Sequence, residues 1–130
     1  MKPSKIQLHK KSRQLELSYP DGGQFKLDAE YLRVYSPSAA VRGHHPSQAV
    51  LQSGKQKVAI NNITAVGNYA IQIHFDDGHN SGIYSWAYLR ELIDNTEANW
   101  QDYLNRLAQA GKTRDPDVQT VSVVDPRKPG

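Results

Sequence analysis

Apolar residues alternate with polar ones along several short stretches of the chain, as in strands that bury one face. The longest run covers residues 69–75, where every second side chain is apolar. Shorter patterns of the same kind, or brief apolar runs, predict further strands at residues 6–9, 15–19, 24–27, 58–60 and 63–66. We therefore predict a mainly β domain, with the strand at residues 69–75 in the centre of a sheet.

Helices are predicted where capping residues precede apolar residues spaced three and four apart. Asp28 and Ser85 are the candidate N-caps of the first two helices, because their side chains can accept a backbone N–H bond. A third helix is expected from Asn95 or Thr96 to the candidate C-cap Gly111. The elements are thus strands with helices between and after them.

The chain contains an internal duplication. LELSYPDGGQFKLDAEYLR at residues 15–33 aligns with IQIHFDDGHNSGIYSWAYLR at residues 71–90, at an offset of 56 that becomes 57 before the helix. An isolated hairpin cannot bury its apolar face in water, so we expect the two units to pack face to face. This predicts an α+β, mainly β fold. It would be a small antiparallel β-sandwich or partly open barrel built from two duplicated hairpin–helix units, with a C-terminal helix.

We assign residues 1–111 to a single domain and expect residues 112–130, rich in proline and charge, to form a flexible tail. Residues 34–55 are irregular, with prolines, glycines and serines that interrupt any period. A loop of this length within a compact domain is usually functional. The candidate partner-binding residues of this loop are Ser36, Ser38, Arg42, His44 and His45.

Composition narrows the classes of function. The absence of cysteine excludes disulfides, thiolate metal sites and a cysteine nucleophile. No apolar run is long enough to span a membrane, so we expect no membrane partner and a cytoplasmic location. The net charge of +3 is mild, and we interpret the basic residues before residue 14 as a solvated arm, with no nucleic-acid partner. Phosphate-loop and nucleophile-elbow motifs are also absent, and the sequence indicates no catalytic residue.

His79 is the one residue of the second unit that the duplication does not explain. It follows the Asp-Asp-Gly turn at residues 76–78, whereas the first unit has Gly23 at the corresponding position. We interpret the two aspartates as turn-forming residues with ordinary titration. A histidine beside a carboxylate can bind a metal. An alternative hypothesis is therefore a metal site formed by His79 with His44 or His45.

The paired hairpins, and particularly FDDGHNSGIYSWAYLREL at residues 75–92, resemble the gamma-butyrobetaine hydroxylase-like N-terminal domain family over about residues 6–94. The resemblance implies a stand-alone bacterial member of a domain family of unknown function. In the hydroxylases, the iron- and 2-oxoglutarate-dependent chemistry belongs to a separate C-terminal domain, for which the residues after Asp94 are too few. The resemblance thus implies a non-catalytic module.

The resemblance also bears on cofactors. In the hydroxylases this domain resembles a zinc-binding module with three cysteines after the first helix and one histidine from the second turn. His79 stands at the histidine position, whereas Ser36, Ser38 and Val41 stand at the cysteine positions. Neutral hydroxyls are poor zinc ligands, so we expect the family zinc site to be lost and no cofactor to be bound.

Other relatives join this domain to P-loop ATPases that resemble iron–sulfur cluster carriers, which implies a role accessory to iron–sulfur or metal-related metabolism. Our leading hypothesis is a binding or adaptor module for another protein. Its contact surface would include residues 36–46 and the turn around His79. The competing hypothesis is the metal-binding protein that uses His79 with His44 or His45.

Overall fold

The computed structural model describes residues 1–43 and 49–118, which contain six strands and four helices. The strands are β1 (Lys5–His9), β2 (Gln14–Ser18), β3 (Gln24–Asp28), β4 (Ile60–Val66), β5 (Ala70–Phe75) and β6 (Ile83–Ser85). The helices are α1 (Ala29–Val34), α2 (Ala39–Arg42), α3 (Trp86–Asp94) and α4 (Thr96–Ala110). None of the described helices is long and apolar enough to cross a membrane.

The six strands form two antiparallel sheets of three strands each, in the orders β1-β2-β3 and β4-β5-β6. Each sheet is followed by its own helix, α1 or α3. Leu15 pairs with Leu27 in the first sheet, and the residues equivalent to them, Ile71 and Tyr84, pair in the second. The predicted α+β, mainly β fold built from two duplicated units is therefore confirmed, and each unit also includes a strand that precedes the repeated segment.

The core lies between the two units. Strand β5 is the central strand of its sheet, as predicted, and Ile71, Ile73 and Phe75 are buried while the residues between them are partly exposed. Full burial of a side chain of this size contributes about 1.5–3 kcal/mol to folding. The apolar residues of both units that join one core cluster include Leu15, Leu17, Leu27, Leu32, Ile71, Ile73, Phe75, Tyr84, Leu89 and Leu92.

The helix ends agree with the predicted caps in two of three cases. The Oγ of Ser85 accepts a bond from the N–H of Tyr88 at 3.1 Å, and Gly111 has the left-handed conformation, with φ +65°, that ends α4. Asp28 stands at the N-cap of α1 but makes no side-chain cap. Its carboxylate instead accepts a bond from Gln14, its partner across the β2–β3 ladder, at 3.0 Å.

Arg114 ties the described part of the predicted tail, residues 112–118, to the domain. Its guanidinium donates two hydrogen bonds, of 2.8 and 2.7 Å, to the buried carboxylate of Glu30. Residues 119–130 lie outside the described residues, so the flexibility of the tail stays a prediction.

Two tyrosines join the units by reciprocal hydrogen bonds. The hydroxyl of Tyr31 on α1 donates to the carbonyl of Leu92 at 2.7 Å, and the hydroxyl of Tyr88 on α3 donates to the carbonyl of Tyr35 at 2.6 Å. The two donors are 57 residues apart and so are the two acceptors, which is the offset of the repeat. The duplication is therefore preserved in the contacts between the units as well as within each unit.

We expect Tyr88→Phe to lower the free energy of unfolding by about 1 kcal/mol, because it removes one hydrogen bond between the units. Tyr31→Phe should cost at least as much, because it also removes the bond that Asn99 donates to the Tyr31 hydroxyl at 3.0 Å. Tyr69→Phe is the matched control, since Tyr69 is 58 % exposed. Urea unfolding measures all three variants. A lower free energy of unfolding for only one of Tyr31→Phe and Tyr88→Phe would contradict the equivalence of the two bonds.

Candidate functional site

His79 lies against the segment that follows α1. Its Nε2 atom is 2.8 Å from the Oγ of Ser36 and 3.3 Å from the Oγ of Ser38. The two serines are 1 % and 7 % exposed, and the imidazole ring packs against Phe75 with the ring centroids 6.0 Å apart. Three residues that the sequence singled out, Ser36, Ser38 and His79, thus meet at one place, which we call the serine–histidine cluster.

Two glycines allow this approach. Gly78 has φ +86°, a backbone conformation that other residues rarely adopt, and it lets the chain turn so that the N–H of His79 binds Asp77 at 3.1 Å. Gly82 lies beside the cluster, where a Cβ atom would stand 2.6 Å from the Oγ of Ser36. The turn between β5 and β6 can therefore pack closely on the loop only because these positions lack side chains.

Asp77 carries two ion pairs at the same turn. Its Oδ2 accepts bonds from the Nε of Arg33 at 2.8 Å and from the Nζ of Lys55 at 2.7 Å. Burial by itself raises the pKa of Asp77, but the bonds from Lys55, the His79 N–H and Arg33 lower the pKa to about 2. The expectation that both aspartates of this turn titrate ordinarily is therefore wrong for Asp77.

The same surroundings favour the neutral imidazole of His79. Burial lowers the pKa of His79, and the positive charges of Arg33 and Lys55 also lower it, while Asp77 acts in the opposite direction. A neutral ring can accept a hydrogen bond from a serine hydroxyl through Nε2, whereas the protonated ring cannot. The cluster is therefore held by hydrogen bonds to an uncharged histidine at neutral pH.

We expect this histidine to make stability depend on pH. Because the folded state lowers its pKa below the unfolded value of about 6.5, the contribution is full above that pH and is lost as the pH falls through the folded pKa. Denaturant unfolding of the wild type and of His79→Gln from pH 5 to pH 8 would measure this contribution. The free energies of unfolding of the two proteins should converge towards low pH. A difference that grows on acidification would contradict this assignment.

The Ser36–His79 contact has the distance of a nucleophile and its base, but its surroundings do not suit nucleophilic catalysis. Ser36 is 1 % exposed, and Gly82 and Tyr84 pack beside its hydroxyl. A substrate would have no access to the oxygen atom without displacing this packing. The pair acts as a tie between the loop and the turn.

The donors of the cluster do not fit the zinc site that the resemblance implies. His79 offers one imidazole, Ser36 and Ser38 offer neutral hydroxyls, and the side chain of Val41 offers no donor. Structural zinc sites are formed by thiolates, imidazoles or carboxylates, usually four in number. Within residues 1–43 and 49–118, no three His, Cys, Asp or Glu side chains are grouped to hold a metal ion.

The remaining predicted site residues are not at the cluster or are not described. Arg42 lies instead over the ring of Tyr88, with its Cζ 4.5 Å from the ring centroid. His44 and His45 lie outside the described residues, so a metal site shared with His79 stays a prediction.

Arg42 and Ser36 both line a pocket of about 290 Å³. The pocket lies between the loop, including residues 49–52, and helices α3 and α4. Its buried apolar lining residues are Val34, Val41, Leu92 and Tyr103. Its exposed lining residues include Arg42, Val50, Glu91 and Arg106.

The sequence pattern did not predict that residues of α4 line this pocket. Tyr103 is buried on α4, but nothing in the sequence showed that it would face the loop. Its hydroxyl donates to the carbonyl of Gln52 at 2.7 Å. Arg106 lies on the polar side of the same helix and reaches Tyr35, 71 residues earlier. Such contacts depend on how α4 crosses the loop, which no local pattern encodes.

The described residues thus define a small duplicated α+β domain, with a half-buried serine–histidine cluster beside a pocket. Residues 6–90 match the family described as "Gamma-butyrobetaine hydroxylase-like, N-terminal". The chain belongs to this family, and the resemblance seen in the sequence is confirmed. None of the curated proteins compared with the chain is similar to it.

Solved structures are similar to this chain over 70–95 % of its length. Two NMR solution structures are 49 % and 47 % identical, cover 94 % and 95 % of this chain and 96 % and 92 % of their own, and have TM-scores of 0.78 and 0.76. A crystal structure of a protein of unknown function from the DUF971 family of Acidithiobacillus ferrooxidans is 37 % identical. It covers 70 % of this chain and 91 % of its own, with a TM-score of 0.57. These chains consist mostly of the same domain.

Proposed function

We propose that the protein is a non-catalytic binding module that serves as an adaptor for another protein. The observation that carries the proposal is the pocket of about 290 Å³ beside the loop. Pockets that hold small molecules or cofactors usually measure about 300–1,000 Å³. A pocket at the lower limit of this range suits one apolar side chain of a partner better than a cofactor.

The contact surface comprises the described part of the loop, residues 36–43 and 49–52, together with the turn around His79. Val50 on the pocket wall is 55 % exposed, so apolar area is available for a partner to bury. Tyrosine and arginine, which dominate protein interfaces, line the same pocket at Tyr88 and Arg42. The composition of the surface therefore supports binding of a protein.

The serine–histidine cluster gives this surface a defined shape before binding. Ser36 and Ser38 tether the start of the loop to His79, and Arg33 and Lys55 tether the turn through Asp77. A loop that is already ordered loses less conformational entropy when a partner binds. We assign the cluster this supporting role.

From the resemblance alone, we propose that the module acts in the cytoplasm in a process accessory to iron–sulfur or metal-related metabolism. We propose no bound cofactor for the described residues, because the donors at the cluster suit hydrogen bonding better than zinc.

Site-specific photo-crosslinking in the cells that express the protein tests the proposal. A photoreactive amino acid at position 50 should give an adduct with a discrete protein. The same amino acid at position 69 should give none, although Tyr69 and Val50 are 58 % and 55 % exposed, because Tyr69 does not line the pocket. Absence of an adduct at position 50, or the same adduct at both positions, would contradict the proposal.

A further inference from the structure

We infer that the pocket recognises an acidic segment of its partner, in which an apolar side chain enters the pocket and neighbouring carboxylates bind Arg42 and Arg106. This inference rests on the proposed function and adds the chemistry of the partner. The two arginines lie on α2 and α4, so they approach the pocket from different elements.

Arg42 is presented in a suitable way for a carboxylate. Its guanidinium lies over the ring of Tyr88, 4.5 Å from the centroid, and the hydroxyl of Tyr88 is fixed by its bond to the carbonyl of Tyr35. Stacking covers one flat face of a guanidinium and leaves N–H groups at its edge available. Those N–H groups match the two oxygens of a carboxylate in the same plane.

Arg106 is oriented by weaker contacts, among them its position over the ring of Tyr35, with its Cζ 6.0 Å from the centroid. Its Nη2 donates to the hydroxyl of Tyr35 at 3.3 Å, and its Nε pairs with Asp102, one helical turn earlier, at 3.1 Å. The Asp102 side chain is 64 % exposed, and exposed pairs of this kind are worth little. The guanidinium of Arg106 can therefore bind a carboxylate of the partner at small cost.

The charges of the described lining residues favour an anionic partner. Arg42 and Arg106 are positive, and Glu91 is the one negative side chain among them. A peptide fits better than a nucleic acid, because a base needs an open aromatic face for stacking. The face of Tyr88 is covered by Arg42, and Tyr103 is 1 % exposed.

Two short capped peptides test the inference by NMR titration: one with a leucine between glutamates, and one with lysines in place of the glutamates. The glutamate peptide should shift the amide signals of Leu51 and Tyr88, and the lysine peptide should not. Arg42→Gln and Arg106→Gln should each weaken binding about fivefold, as expected for partly exposed ion pairs. Glu91→Gln should strengthen it.

Lys10→Gln is the matched control, because Lys10 is exposed and does not line the pocket. It should leave the affinity for the glutamate peptide unchanged. No binding of the glutamate peptide, equal binding of the lysine peptide, or tighter binding of single-stranded DNA with the same dependence on both arginines would overturn the inference. A crosslink from position 50 to a partner segment without acidic residues would overturn it and leave the proposed function standing.

Discussion

Asp77→Asn is expected to lower the free energy of unfolding by about 2 kcal/mol, less than the cost of breaking a fully buried ion pair, because Arg33 is buried but the Asp77 side chain is 22 % exposed. Arg33 is 7 % exposed, and Asp77 is its carboxylate partner. The neutral amide would leave the guanidinium charge buried without compensation, and it would also remove the pair with Lys55. Urea unfolding at pH 7 measures the loss.

Asp21→Asn is the matched control that the duplication provides. Asp21 and Asp77 occupy equivalent turns and accept the same backbone bond, from Gly23 at 3.0 Å and from His79 at 3.1 Å. The control should cost about 0.5 kcal/mol or less, because an asparagine preserves that turn bond and Asp21 pairs with no basic group among the described residues. Equal losses for the two variants would show that the turn, and not the ion pair, carries the effect.

The pair also predicts the response to acid. The pKa of Asp77 is lowered from 3.8 to about 2, so its contribution to stability is full above pH 3.8 and is lost as the pH falls towards 2. Asp77→Asn should remove this part of the acid dependence, and Asp21→Asn should retain it.

The second large effect is a gain of metal binding. Replacing Ser36, Ser38 and Val41 together by cysteine is expected to create a zinc site with His79. The free energy of zinc binding at pH 7 should favour the complex by about 10 kcal/mol or more. In tetrahedral sites, Zn–S bonds of about 2.3 Å and Zn–N bonds of about 2.1 Å place neighbouring donor atoms about 3.6 Å apart. The Oγ atoms of Ser36 and Ser38 already lie 2.8 and 3.3 Å from the Nε2 of His79, close to this spacing.

Elemental analysis of protein purified without a His-tag measures the gain. The triple-cysteine variant should retain one zinc per chain, and adding His79→Ala should weaken retention by orders of magnitude. Failure of the folded triple variant to bind zinc would contradict the correspondence between the cluster and the zinc site that the resemblance implies. Stoichiometric zinc or iron in the wild type, lost in His79→Ala, would support the alternative metal-binding function instead.

The duplicated fold was predictable because both copies keep the residues that folding requires. Leu15 and Ile71 occupy the same strand position, and the tyrosines of the two helices make equivalent bonds. The pattern failed at β4, for which two short strands were predicted. One strand runs through residues 60–66, and the polar residues at 61 and 62 coincide with a shift in its register.

The candidate site was predictable only in part, because its residues come from distant positions. His79 stood out because the first copy has glycine there, and the resemblance connected it with Ser36 and Ser38. Arg33 and Asp77 are 44 positions apart in the sequence, so no local pattern indicated that they form an ion pair. The cluster and the pocket could therefore not be predicted without the structure, because they depend on how the loop, the second turn and α4 pack together.

The duplication also explains where a binding surface can arise. Both units retain the turn bond, the strand pairing and the helical tyrosine that stability requires. The second turn differs from the first in carrying His79, and it packs on the loop that follows α1. We interpret the first unit as chiefly structural and the junction with the second turn as the place of function.

Affinity capture from the cells that express the protein tests the central claim most directly. The wild type is compared with Arg42→Glu/Arg106→Glu, and with Lys10→Glu/Lys112→Glu, which makes the same charge change away from the pocket. NMR spectra verify that each variant is folded. We predict that the wild type and the control recover the same discrete protein and that the pocket variant does not. Equal recovery by all three folded proteins, or recovery by none, would contradict binding of a partner through this pocket.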